Sequence, residues 1–225
     1  MPKRTYFSPA VFRFLKALKR HNNRDWFLAH KDEYERDVRQ PALCFIADFA
    51  PHLQRLAPRF VAIPTPTRGS LFRIHRDTRF AADKSPYKTH VGMYFPHKQA
   101  GREVHAPCFY LHLEPGGCFA GGGLWHPDAI ALRAVRDAIV EQPDAWRRVR
   151  RSAILEDEGA LVSAPRGYDA AHPFIDDLKR KDFVGSVALT DARVCGPRFL
   201  EEFADVCKRM RVLMEFLTEA VGLPF

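Results

Sequence analysis

Apolar residues recur at helical spacing near both ends of the chain and alternate with polar ones in its middle, so helices are expected to flank a run of strands. Ser8-Pro9 reads as an N-cap followed by proline at the first helical position, and Val11, Phe14, Leu15 and Leu18 then repeat every three or four residues. Asn22-Asn23 ends this helix. A second is expected from near Arg24-Asp25 to about Leu56, with Trp26, Phe27, Tyr34, Val38, Leu43, Ile46, Phe49 and Leu53 on its apolar side. Pro41 should kink it or split it in two, because proline removes a backbone donor and crowds the preceding turn. Pro58, Pro64 and Pro66 mark an extended loop that ends at Gly69.

Strands are expected at Leu71–Arg76, Thr89–Phe95, Cys108–Leu113, Cys118–Leu124 and Phe183–Leu189. Glu114-Pro115-Gly116-Gly117 joins two of them and has proline and glycine in the type II order, although hairpins favour primed turns. If the turn centres on Pro115-Gly116, Tyr110 lies opposite Gly121 and Cys108 opposite Gly123. His126-Pro127-Asp128 opens a helix to about Val140, and Pro143-Asp144 another through Arg151. The last helix, Phe199 to Ala220, carries the stripe Phe199, Phe203, Val206, Met210, Leu213 and Leu217. Residues 156–159 read as a polar turn and 163–177 as an ordered loop. The order helices, strands, helices indicates the α+β class: a mainly antiparallel sheet of at least four strands with helices on one face. One domain is expected over residues 1–225, with a helical part at 8–57, a central sheet at 70–125 and a helical C-terminal part at 127–220.

Side chains alternate faces along a strand. Phe72 and Ile74 are therefore expected on one face, with Val91, Met93, Phe95, Phe109, Leu111 and Leu113. Arg73, His75, His90, Tyr94, Tyr110 and His112 are expected on the other. Gly121, Gly122 and Gly123 leave bare backbone, as where a bulge forms or a ligand or a second backbone comes close.

Of the 225 residues 46% are hydrophobic, enough for a core, and 18 Phe make that core aromatic. The net charge of +8 favours an acidic partner by attraction, such as nucleic acid, a nucleotide, a phosphorylated metabolite or a membrane surface. Five cysteines with no CxxC pair suit reduced thiols and a cytoplasmic setting. No apolar run follows the basic residues at the start, so no signal peptide is expected. No stretch reaches the roughly 18 apolar residues of a spanning helix, so no membrane partner is expected.

Charge concentrates between Gly69 and Tyr94. Arg73, Arg76, Arg79, Lys84 and Lys88 crowd around Asp77 and Asp83, with Tyr87 and His90 alongside. Arginine offers a planar fork of donors that matches phosphate or carboxylate. Five cations against two carboxylates leave an excess that an outside anion would complete, with Asp77 and Asp83 aligning the clamp. Tyr87 or His90 is the candidate for proton transfer, if there is chemistry. A ligand-free lattice of ion pairs is the competing reading. His75, His90, His112 and Glu114 could share a sheet face, but HxH and HExxH are absent and the adjacent arginines oppose a cation; no metal or other cofactor is expected. Arg147, Arg148, Arg150 and Arg151 beside Trp146 form a basic helical turn that could track phosphates, which keeps a nucleic-acid-binding module open. GxSxG, Walker and dinucleotide glycine patterns are absent.

Arg73, Arg76, Asp77, Arg79, Phe80, Asp83, Lys84, Pro86, Tyr87, Lys88 and Thr89 spell R-x-x-R-D-x-R-F, D-K and P-Y-K-T. With NNRDWF at 22–27, GGGLWHP at 121–127 and the run from Gly167 to Pro173, the chain resembles the bacterial DUF2461 family over nearly its whole length. That resemblance implies an unassigned function and brings no catalytic residues with it. The expectation is a protein that binds an anionic, phosphate-bearing small molecule at the Arg/Lys/Asp cluster. Whether it is an enzyme, and in what oligomeric state it acts, is left open.

Overall fold

A computed structural model describes residues 4–100, 106–152, 155–156 and 159–225. Helix α1 (Pro9–Arg20) starts as its cap predicts, with the Ser8 side chain accepting the Ala10 N–H. The expected second helix is not one element. It is divided into α2 (Arg24–Ala29), capped by Asn23, α3 (Lys31–Tyr34), a π-helical turn at Glu35–Arg39, and α4 (Gln40–Leu56). The turn lies just ahead of Pro41, which has no N–H to offer the carbonyl four residues back, and the backbone widens by one residue to compensate. Pro51 sits inside α4 without ending it.

Four antiparallel strands follow in the order β1 (Val91–Pro96), β2 (Cys108–Leu113), β3 (Cys118–Leu124) and β4 (Phe183–Leu189). Tyr110 faces Gly121 and Cys108 faces Gly123, as the turn chemistry requires. The Gly117 N–H reaches the Glu114 carbonyl at 2.9 Å, and Gly116 takes the positive φ of 73° that a type II turn demands at its third position. The connection from β3 to β4 holds α5 (Ala129–Glu141), α6 (Pro143–Ser152) and α7 (Ile175–Leu178); α8 (Asp191–Val194) and α9 (Phe199–Ala220) complete the chain. Of the turn expected at 156–159, residues 157 and 158 lie outside the described residues.

The segment Leu71–Arg76 is not a strand. It touches the sheet through an isolated bridge, Leu71 to Met93, then turns back on itself through a second, His75 to Tyr87. Face alternation breaks between the two. Ile74 enters the core, whereas Phe72 stacks on Tyr94 on the opposite face at 4.7 Å. Phe72 was expected beside Ile74; a two-residue contact with β1 is too short to hold the period.

The inner sheet face carries Met93, Phe95, Phe109, Leu111 and Ala120 into a core with Phe7, Phe45, Phe49 and Phe203. A second cluster gathers Leu124, Trp146, Phe183 and Leu178. Helix α9 belongs to both: Phe199, Phe203, Met210 and Met214 pack in the first, and Leu213, Phe216 and Leu217 in the second. No helix among the described residues is long and apolar enough to cross a membrane.

The glycine run is explained by a neighbouring backbone. A Cβ at Gly121 would overlap the Gly185 carbonyl of β4, and one at Gly123 the Phe183 carbonyl. Gly122 points the other way, onto Met214 of α9.

Candidate functional site

Residues 74–88 form a closed loop. The Arg76 N–H reaches the Pro86 carbonyl at 2.9 Å and the Lys88 N–H reaches the Ile74 carbonyl at 2.7 Å. Asn22, just past the end of α1, grips the loop from outside: its amide donates to the Tyr87 carbonyl at 2.9 Å and accepts the Tyr87 N–H at 3.0 Å. The Tyr87 ring stacks on Phe27 of α2 at 4.2 Å and is almost wholly buried. This fixes the position of the loop and keeps the Tyr87 ring almost wholly buried in the core, although Tyr87, like His90, borders the pocket described below.

Inside the loop the charges sort themselves. Asp83 accepts the Ser85 hydroxyl at 2.6 Å and its N–H at 2.9 Å, and pairs with Nη1 of Arg76. Those bonds, led by Ser85, hold the Asp83 carboxyl down at about 2. Nη1 of Arg76 also reaches the Ser85 carbonyl at 3.2 Å. Asp77 takes Arg79 in a fork, Nε at 3.0 Å and Nη2 at 2.7 Å, which depresses its carboxyl. Lys84 donates to the Thr78 carbonyl at 3.0 Å. Lys88 donates to the carbonyls of Arg73 at 2.8 Å and His75 at 3.0 Å. Burial lowers the pKa of Lys88, and Arg73 and Arg76 nearby push in the same direction.

A pocket of about 620 Å³ opens beside the loop. Lys19 and Asn22 from the end of α1 line it, together with Arg76, Asp77, Asp83, Ser85, Lys88 and His90. Three cations therefore face it against two carboxylates, and Arg79 already offsets one of these. Arg73, Arg79 and Lys84, expected in the clamp, do not line the pocket. Arg79 is turned onto Asp77, and Lys84 onto the Thr78 carbonyl of the loop itself. Sequence reasoning in turn passed over Lys19, and met Asn22 only as the end of α1 and in the NNRDWF landmark.

His90 stands at the pocket wall, its ring 4.4 Å from that of His112. Burial, with His112 beside it, lowers the His90 pKa to about 4, so the imidazole is neutral at physiological pH. His112 lies between the Tyr110 hydroxyl at 3.2 Å and Glu114 at 3.4 Å. Burial lowers its pKa too, against the pull of Glu114. Glu114 lies 3.7 Å from Lys19 at the rim. His75 turns away towards Phe27 and Tyr87. Among the described residues no group of three or more His, Cys, Asp and Glu side chains is placed to hold a metal ion.

Elsewhere, the basic turn of α6 is partly engaged. Arg147 pairs with Asp144 and Arg150 lies 3.5 Å from Asp177. Trp146 is fully buried and donates to Asp177 at 2.8 Å, so its ring is not offered to a base. Cys108 and Cys118 are pushed up to about 12 by burial, which keeps both as thiols.

A family model described as a conserved hypothetical protein, DUF2461, matches residues 10–216. The chain belongs to the DUF2461 family. The match takes in all but the first residue of α1, the closed loop, the whole sheet and most of α9, so every residue lining the pocket of this DUF2461 protein lies inside it. Searches of curated proteins and of solved structures each found no match. The function of this DUF2461 chain is accordingly unassigned, and its site is read from geometry.

Proposed function

We propose that this chain binds a small phosphate-bearing anion in the pocket between the end of α1 and the closed loop, with Arg76, Lys88 and Lys19 as the cations that meet it. One observation carries the reading. Arg76 and Lys88 are held in orientation by acceptors of the loop itself, yet their bonds to described residues engage only Nη1 of Arg76 and leave Lys88 a donor to spare. Cations fixed beforehand lose little freedom when an anion arrives, which favours binding. Asp83 and Asp77 act as braces on Arg76 and Arg79. His90, neutral beside the anion seat, supplies a proton acceptor should the bound molecule react.

The test is calorimetric titration with inorganic phosphate and pyrophosphate. Removing a charged hydrogen-bond donor costs about 1.5–3 kcal/mol, so Arg76→Ala and Lys88→Ala should each weaken binding by roughly 10- to 100-fold. Arg73→Ala, outside the pocket, should change it by less than about 3-fold. No binding to the wild-type protein, or an equal loss in Arg73→Ala, would leave the loop as a ligand-free ion-pair scaffold.

A further inference from the structure

The outer face of the sheet carries an unabsorbed feature that begins where the pocket ends. Tyr94 of β1, Tyr110 and His112 of β2 and Phe119 of β3 are all partly exposed there. Their rings touch: Tyr110 lies 5.8 Å from Phe119, and His112 stacks on Phe119 at 4.7 Å. Phe72 adds to the row through Tyr94 at 4.7 Å and Tyr110 at 6.1 Å. The residues that pack against helices, Met93, Phe109, Leu111, Ala120 and Gly122, all point the other way. Beyond Phe119 the row ends, because the backbone of β4 closes over Gly121 and Gly123.

His90 joins the two features. It lines the cationic pocket and lies against His112, the first ring of the row. A molecule with its anion at Arg76 and Lys88 would pass His90 and reach the rings. Aromatic faces and edges attract a planar ring more specifically than an alkyl chain, and the hydroxyl oxygen of Tyr110, whose proton goes to His112, can accept from a ring N–H or an exocyclic amino group. The cations call for a phosphate, and the rings call for a flat unsaturated body attached to it.

Resting on the anion reading above, we infer that the ligand is a mononucleotide, its phosphate at Arg76 and Lys88 and its base against Tyr110, His112 and Phe119. None of the glycine-rich phosphate loops of common nucleotide sites is involved. The phosphate meets side-chain cations of a closed loop, and the base lies against the ring row of the sheet.

Titrations with ribose 5-phosphate, AMP, UMP and a short 5′-phosphorylated oligoadenylate test this. AMP should bind at least about 10-fold tighter than ribose 5-phosphate, since stacking on aromatic side chains is worth roughly 1–3 kcal/mol per base. In Phe119→Ala protein, AMP affinity should fall to the value for ribose 5-phosphate. Because that variant could misfold, wild-type histidine spectra give a second readout: AMP should shift His112 and His90 signals, and ribose 5-phosphate those of His90 alone. Equal affinity for AMP and ribose 5-phosphate would overturn the base seat while leaving the phosphate pocket standing. Failure of all four compounds, with phosphate and pyrophosphate, would remove both. An oligoadenylate that binds more than 10-fold tighter than AMP would overturn the mononucleotide in favour of a single-stranded nucleic acid end.

Discussion

At the scale of single residues the site is a matter of which charges are spoken for. Asp77 and Asp83 sit beside arginines, so their charge is largely consumed within the loop. Asp83 is 63% exposed, and its ion pair with Arg76 orients the guanidinium more than it stabilises the fold. His90 differs, because it is half-buried and neutral. Above pH 6.5 it is uncharged folded or unfolded; as pH falls the unfolded chain takes up a proton near 6.5, and the folded chain only near 4. Stability contributed by neutral His90 is therefore lost between those values. Allowing for solvent screening at a half-open site, the loss is about 1–2 kcal/mol. Denaturant midpoints at pH 7 and pH 4.5 should differ less in His90→Gln than in the wild type; an unchanged difference would assign the acid sensitivity elsewhere, such as to His112. Asp83 acts in a separate window. Its depressed carboxyl weakens the fold only as pH falls below about 4 towards 2.

At the scale of elements, two joints decide whether the site exists. The first is Asn22 on Tyr87. Asn22→Ala leaves both backbone groups of Tyr87 without their side-chain partner, so a loss of about 1–3 kcal/mol is expected in thermal or chemical unfolding. Phosphate affinity should fall with it, because the loop is no longer tied to α1. The second joint is β3 on β4. Gly121→Ala would drive a methyl group into the Gly185 carbonyl, where backbone must move. Gly122→Ala meets the sulfur of Met214 at 3.0 Å, the end of a flexible side chain. Gly121→Ala should thus cost at least the 1–3 kcal/mol typical of overpacking, and Gly122→Ala clearly less. Equal losses in unfolding experiments would mean that strand separation is not what the glycines protect. The hairpin β2–β3 was readable from sequence because a turn centred on Pro115-Gly116 implies one register, the one observed. Leu71–Arg76 was misread as a strand because alternation over six residues cannot tell a paired strand from a chain that crosses the sheet edge and leaves.

At the scale of the molecule, α9 ties two apolar clusters together, and the second is closed by a buried polar knot. Asp177 accepts Trp146 at 2.8 Å and Arg180 at 2.9 Å, with all three side chains buried. Asp177→Ala takes away the acceptor of the indole N–H and of Arg180 Nε. Breaking such a buried pair costs about 3–5 kcal/mol, so a clear drop in melting temperature is expected while phosphate binding at the distant loop persists in the folded fraction. Loss of binding in step with Asp177→Ala, under conditions where the protein is folded, would show that the clusters are coupled to the site. The same knot fixes the inner side of α6: the indole of Trp146, beside four arginines in the sequence, finds an acidic partner thirty-one residues away.

The sequence by itself determined the elements with a strong local cause: the caps of α1 and α2, the hairpin turn, the stripe of α9 and the α+β order. It also placed Arg76, Asp83, Lys88 and His90 in one neighbourhood, since they are neighbours along the chain. Only the tertiary structure decided that Lys19 and Asn22 join them while Arg73, Arg79 and Lys84 stay out, and that rings from three strands and the Phe72 segment form one row. The reason is range. Periodicity and turn chemistry act over a few residues, whereas the grip of Asn22 on Tyr87 spans sixty-five and depends on how α1 packs against the core.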